Sequence, residues 1–270
     1  MIENPREFAR VRNAVLLLSA LTWIVLLVEP VSMVAHCSAV GSPSMTLRAS
    51  FQMLLAMNAP GSLAAGWILM LVAMMSPVMI PPVRHIRMRS FTHRRARSTA
   101  LFVAGYAAIW MAVGGVLLAT ELAVKSAVTE SYLPAACLLL VALVWQCSPI
   151  KQRCLNRCHA HAELAAFGAA ADFGALHFGI THGIWCAGSC WALMLFPMLL
   201  PRGHVVAMAT VAVLIFSERL EQPMPPRWRW RGLGKVKRLV VAQARMRVYA
   251  FRSGPAPIFP SAQSNQASGL

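Results

Sequence analysis

FGALHFGITHGIWCAGSCWALMLFPMLL, residues 173–200, runs its whole length without an Asp, Glu, Lys or Arg. A hydrocarbon core about 30 Å thick takes about 20 apolar residues as a helix. With no water there to hydrogen-bond the main chain, a helix is the one single segment that satisfies its own backbone. The stretch is therefore read as a transmembrane helix. Comparable runs at 14–34, 63–83, 100–120, 133–147 and 205–216 extend the reading to an all-α, polytopic transmembrane helical bundle of about six spans, of which 133–147 and 205–216 are short. Composition agrees: 58% of the 270 residues are apolar, 13% are charged, and the mean hydropathy is +0.59. That is too apolar for a soluble hydrolase or a Rossmann enzyme. The seven cysteines stand mostly in or beside apolar runs, which argues for reduced thiols and against a secreted disulfide scaffold.

The basic residues give the direction. Lys and Arg number 25 against 9 acids, a formal charge of +16. The N-terminal segment (Arg6, Arg10, Arg12), the second loop (Arg84, Arg87, Arg89, Arg94, Arg95, Arg97), the fourth loop (Lys151, Arg153, Arg157) and the tail from Arg219 together hold 22 of the 25, and Arg48, Lys125 and Arg202 are the other three. Positive charge collects on the cytoplasmic side, so both termini are expected in the cytoplasm of a bacterial inner membrane. Topology thus accounts for the charge without a nucleic-acid partner. A cleaved signal peptide is disfavoured by the length of the first run and by Glu29 and Pro30 at its end. Residues 1–222 form the expected transmembrane domain. From Pro223 a basic cytoplasmic tail follows, in which Leu233, Val236, Val240, Ala244 and Val248 have the spacing of an amphipathic helix for an anionic leaflet, with disorder beyond.

Within the opening stretch, every fourth position from 182 reads His182, Cys186, Cys190, Met194, Met198. Residues four apart on a helix have Cβ atoms about 5–6 Å apart, near enough for neighbours to share one ion. Thiolate and thioether are soft donors that select Cu(I), with Zn(II) the borderline competitor. The competing reading is packing: Gly179, Gly183 and Ala187 form a small-residue face suited to helix contact in lipid, and Cys and Met fill gaps. A second sulfur set, Met70 and Met74, precedes Pro77, which breaks the helical hydrogen-bond ladder. Broken helices in membranes often mark transport paths. A third set is Cys154, Cys158 and His161, expected at the cytoplasmic mouth, where Arg153 and Arg157 favour thiolate. His177 and His182 are the remaining imidazoles within a span. His85 and His93 read as loop histidines, His159 as a solvated one, and Glu218 as a carboxylate snorkelling at the end of its span. No constellation suited to hydrolysis is present, and a non-enzyme is expected.

These residues carry a resemblance. The run 67–81, Gln146-Cys147-Ser148-Pro149-Ile150-Lys151 followed by Cys154 and Cys158, and Gly183 to Cys186, Gly188 and Cys190-Trp191-Ala192-Leu193-Met194, ending in Ser217-Glu218-Arg219, resemble a bacterial family of predicted metal-binding integral membrane proteins without established activity. The resemblance covers about residues 23–221. The family pattern has Cys-Cys where this chain has Ser189-Cys190, Trp where it has Cys147, and a hydrophobic tail helix where it has the charged segment after Pro223. The resemblance raises metal above packing for the 173–200 span. It implies a membrane protein that binds Cu(I), or Zn(II), for transport or for delivery to a partner metallochaperone or metalloenzyme. Cys186, Cys190 and Met194 would then face Met70 and Met74, with Cys154, Cys158 and His161 as a loading site. The alternative function is a non-catalytic membrane scaffold or complex subunit without metal.

Overall fold

A computed structural model describes residues 5–28, 60–128, 131–165 and 167–230, together with Gly234 and Val241, and no strand occurs among them. The helices are α1 (Pro5–Val28), α2 (Pro60–Met75), α3 (Ile80–Arg89), α4 (Arg95–Ala127), α5 (Leu133–Cys147), α6 (Pro149–His159), α7 (Gly168–Met198) and α8 (His204–Leu220). Short 3₁₀ turns lie at Ser76–Met79 and Thr92–Arg94. The chain divides into two compact units, Met1–Gly232 and Leu233–Leu270; the first contains all eight of these helices. In the second unit only Gly234 and Val241 are described, both helical, so the expected amphipathic tail helix otherwise lies outside the described residues.

Four stretches, Glu7–Val28, Ala64–Arg89, Thr92–Lys125 and Gly168–Met198, are long and apolar enough to cross a membrane, and α5 with α6, bent by 63°, makes a fifth. α8 has 17 residues. At 1.5 Å per residue it extends about 25 Å, short of the roughly 30 Å core. Four or five helices therefore meet the length criterion, where the sequence reading counted six runs.

Two of these stretches break at a Ser-Pro pair, Ser76-Pro77 and Ser148-Pro149. Proline has no N–H to give the carbonyl four residues back. The carbonyl so freed by Pro77, that of Ala73, is taken up by α1: Ser19 Oγ donates to it at 2.9 Å and Trp23 Nε1 at 3.0 Å. At the second break Ser148 ends α5 and caps α6, its hydroxyl accepting from the Lys151 amide at 3.1 Å, while the Cys147 carbonyl accepts from the Arg229 amide at 3.1 Å. The backbone groups freed at both breaks thus find partners within the protein.

The most extensive helix contact is that of α4 with α7, and glycine permits it. A Cβ on Gly179 would lie 2.2 Å from the Phe102 carbonyl oxygen, and one on Gly105 2.6 Å from that of Leu176. The small-residue face expected of the 173–200 span is therefore in use against α4. At one end of the bundle Glu7 pairs with Arg87 and, at 2.7 Å, with Arg95, and Asp172 pairs with Arg94 at 2.6 Å and Arg97 at 2.8 Å. These pairs gather the starts of α1, α4 and α7 and the end of α3. Lys125 and Glu121, paired at 2.6 Å, lie near the other end of α4.

Candidate metal centre

Cys186 stands on α7 about two turns beyond Gly179 and is completely buried. Three elements converge on it. From α4, the Tyr106 hydroxyl lies 3.4 Å from its sulfur. From α8, Arg219 Nη2 donates to the same sulfur at 3.2 Å and to Ser189 Oγ at 3.2 Å. From α6, Cys158 lies close enough to the same guanidinium to feel its charge. Cys190, one turn on, is buried and its thiol donates to the Cys186 carbonyl at 3.0 Å. Cys154 is buried as well: a Cβ on Gly188 would lie 3.1 Å from its sulfur. The sequence reading placed the α6 thiols in a separate loading site at an open mouth. The structure instead packs α6 against α7, so that thiols of both helices surround Arg219.

Beneath this cluster lies a buried polar knot that the sequence reading did not foresee. Lys151 is 0% exposed, Gln146 1% and Glu218 2%. Lys151 Nζ pairs with Glu218 at 2.9 Å and also donates to Gln146 Oε1, and Gln146 Nε2 donates to Glu218. Glu218 does not snorkel. The bend at Ser148 turns Lys151 back toward the end of α8, and a buried carboxylate with a cation in reach has no cause to seek water. Nor is His159 a solvated loop side chain: its two ring nitrogens contact the Leu155 and Arg219 carbonyls at 2.8 and 3.1 Å. The extended segment 223–230 closes over α6, with Asn156 and Met224 bonded both ways and Gln152 bonded to Arg227 and Arg229.

His182, 4% exposed, lies among Phe102, Tyr106 and Phe178, and neither ring nitrogen has a hydrogen-bond partner. His177, the other imidazole expected inside a span, is exposed. The His161 and His85 rings lie tilted against each other with centroids 4.6 Å apart, and His85 Nε2 contacts the Ala162 carbonyl at 2.9 Å, so His85 is more than a loop histidine. Loss of water around the ring, and then His85, hold the His161 imidazole below its ordinary value and keep it neutral as a donor. Met70, Met74 and Met194 are buried in the same continuous apolar cluster as Cys186 and Cys190. The direct pairing expected between the second and fifth spans is at most marginal: α7 packs chiefly on α4, and α2 on α1. The glycine contact explains the preference, since it lets the α4 backbone occupy that side of α7.

The clustered donors are soft thiols with thioethers in the same core, the chemistry Cu(I) selects. Among the described residues no three of His, Cys, Asp and Glu are arranged to hold a metal ion, so a tetrahedral cage of these residues, as a structural Zn(II) requires, is not formed there. Cu(I) is satisfied by as few as two sulfurs, and Cys186 with Cys190 supplies a pair at the helical spacing. Residues 64–241 match the PpoB2 family, described as a copper chaperone. The chain belongs to that family. No curated protein and no solved structure matches it. The matched range takes in every candidate ligand named above and also Arg219, Lys151 and Glu218, whose pairing only the fold reveals. A signal for them existed: Ser217-Glu218-Arg219 follows an apolar run with no polar linker between.

Proposed function

We propose that this chain is a multi-pass protein of the bacterial inner membrane that binds Cu(I) as cargo and delivers it to a partner metalloprotein or passes it across the membrane. It acts as a carrier and not as an enzyme. Cys186 and Cys190 are the principal ligands, Met194, Met70 and Met74 supply thioethers, His182 stands one turn before Cys186 on the same helix, and Cys154, Cys158 and His161 serve loading from beside this site. The single observation that supports this reading best is the convergence of thiols from α6 and α7 on one buried point, in a chain of a copper chaperone family. Packing alone is a weaker account of those thiols, because the close contact of α7 with α4 is already made by glycines. We further propose six spans with both termini cytoplasmic, residues 1–222 as the membrane domain and 223–270 as the tail.

The test is elemental analysis of detergent-purified protein after loading with Cu(I) under reducing conditions. Wild type retains copper and the Cys186→Ser, Cys190→Ser double variant loses it. Met74→Leu loses part, because a thioether contributes polarizability but no charge. Ligand thiols must deprotonate, so occupancy falls as pH is lowered. Wild-type copper content in the double variant would return the molecule to the scaffold reading.

A further inference from the structure

The cation already standing among the thiols is Arg219. Its Nη2 is 3.2 Å from the Cys186 sulfur, its Nε is buried without a partner, and Cys158 and Cys190 lie in its field. The buried charges Lys151 and Glu218 are paired with each other at 2.9 Å, and the half-buried guanidinium of Arg219 faces the sulfurs. We propose that Arg219 makes this site selective for a soft monovalent ion over a soft divalent one. The inference rests on the copper-binding reading above and adds the residue that sets valence.

The argument is one of charge. Two thiolates, whichever pair of the clustered cysteines supplies them, carry two negative charges. A monovalent ion leaves one, which the adjacent guanidinium neutralises, so the loaded site is neutral within the bundle. A divalent ion neutralises both thiolates and leaves the half-buried Arg219, whose Nε is shut off from solvent, without a counter-charge at the site, which a partly desolvated position penalises. Softness alone does not discriminate by charge in this way, because Cd(II) is a soft, thiophilic ion as well. Arginine suits the role, since its charge cannot be relieved by deprotonation and one of its nitrogens, Nη2, reaches both Ser189 and Cys186.

The test uses the full chain in lipid nanodiscs under reducing conditions, with Ag(I) as an oxidation-stable soft monovalent probe and Cd(II) as the soft divalent one, each dissociation constant being read by chelator competition. The unmodified chain binds Ag(I) and equimolar Cd(II) does not displace it. In Arg219→Gln the ratio of the Cd(II) to the Ag(I) dissociation constant falls on the order of a hundredfold, the size expected of one unit charge a few ångströms away at intermediate screening. Arg219→Lys, which keeps the charge, keeps the native ratio. An unchanged ratio in folded Arg219→Gln overturns the proposal, and displacement of Ag(I) by Cd(II) from the unmodified chain does so without any variant. If the unmodified chain binds neither Ag(I) nor Cu(I), the copper reading itself falls, an outcome distinct from binding without valence preference.

Discussion

Lys151 and Glu218 are a pair whose removal is worse than its absence. Taking two charges out of water is costly, and their attraction with the hydrogen bonds of Gln146 offsets that cost only while all three groups are present. Lys151→Met strands a buried carboxylate and should destabilise by about 3–5 kcal/mol. Lys151→Met with Glu218→Gln should recover most of the loss, as groups in contact are not additive. Thermal unfolding in detergent measures both, with exposed Arg153→Met as the control; equal losses in Lys151→Met and the control would refute the buried pair. At this scale the sulfurs were legible in the sequence, because their four-residue spacing survives folding unchanged. Lys151, Glu218 and Arg219 stood in the blocks that carry the resemblance, but their burial and pairing were not legible. A charge at the end of an apolar run has the same local signature whether it faces headgroups or a partner on another helix, and only the approach of α6 to α8 decides between them.

Among the elements, the contact of α4 with α7 is where one methyl group matters most. A Cβ at Gly179 meets a main-chain oxygen, which cannot swing aside as a side chain would. Gly179→Ala should therefore force the helices apart and cost about 1–3 kcal/mol or more. Gly115 on the same α4 has open space, and Gly115→Ala should be neutral or slightly stabilising, since alanine is the better helix former by about 0.5–1 kcal/mol. Unfolding midpoints and retained copper in the two variants decide the point, and equal effects would show that the crossing does not depend on glycine. The small-residue face was readable from the sequence, but its partner was not: spacing names the face that packs and is silent about what packs on it. The break at Pro77 was legible for the same local reason. Ser148-Pro149 read only as a helix end, because proline stops the backbone ladder locally, while the continuation of α6 beyond a 63° bend is a tertiary fact.

For the whole molecule, the count of crossings and the side of the tail are a single question. α1, the broken pair α2 and α3, α4, the broken pair α5 and α6, and α7 make five passes by length, so the tail's side rests on α8. Length argues against α8, at about 25 Å. Charge argues for it: with five passes the tail, which holds ten of the 25 Lys and Arg from Arg219 onward, would lie opposite the Arg94, Arg95 and Arg97 end of the bundle. The α8 end is held by Lys151, Cys186 and the His159 ring, not by a headgroup layer. It therefore has no need to reach the surface, since segment 223–230, bonded along α6, carries the chain onward. A short helix that finishes inside protein and is continued by a segment hydrogen-bonded along α6 can complete a crossing that its own length cannot. Charge alone carries the expected direction, whereas length does not fix the number of passes, because length is a sufficient criterion only for helices that end in lipid headgroups. We expect reporter fusions after Ala39, Ser98 and Gln222 to read periplasmic, cytoplasmic and cytoplasmic. A five-pass chain gives the same first two results and a periplasmic third, so the fusion after Gln222 alone decides whether α8 crosses.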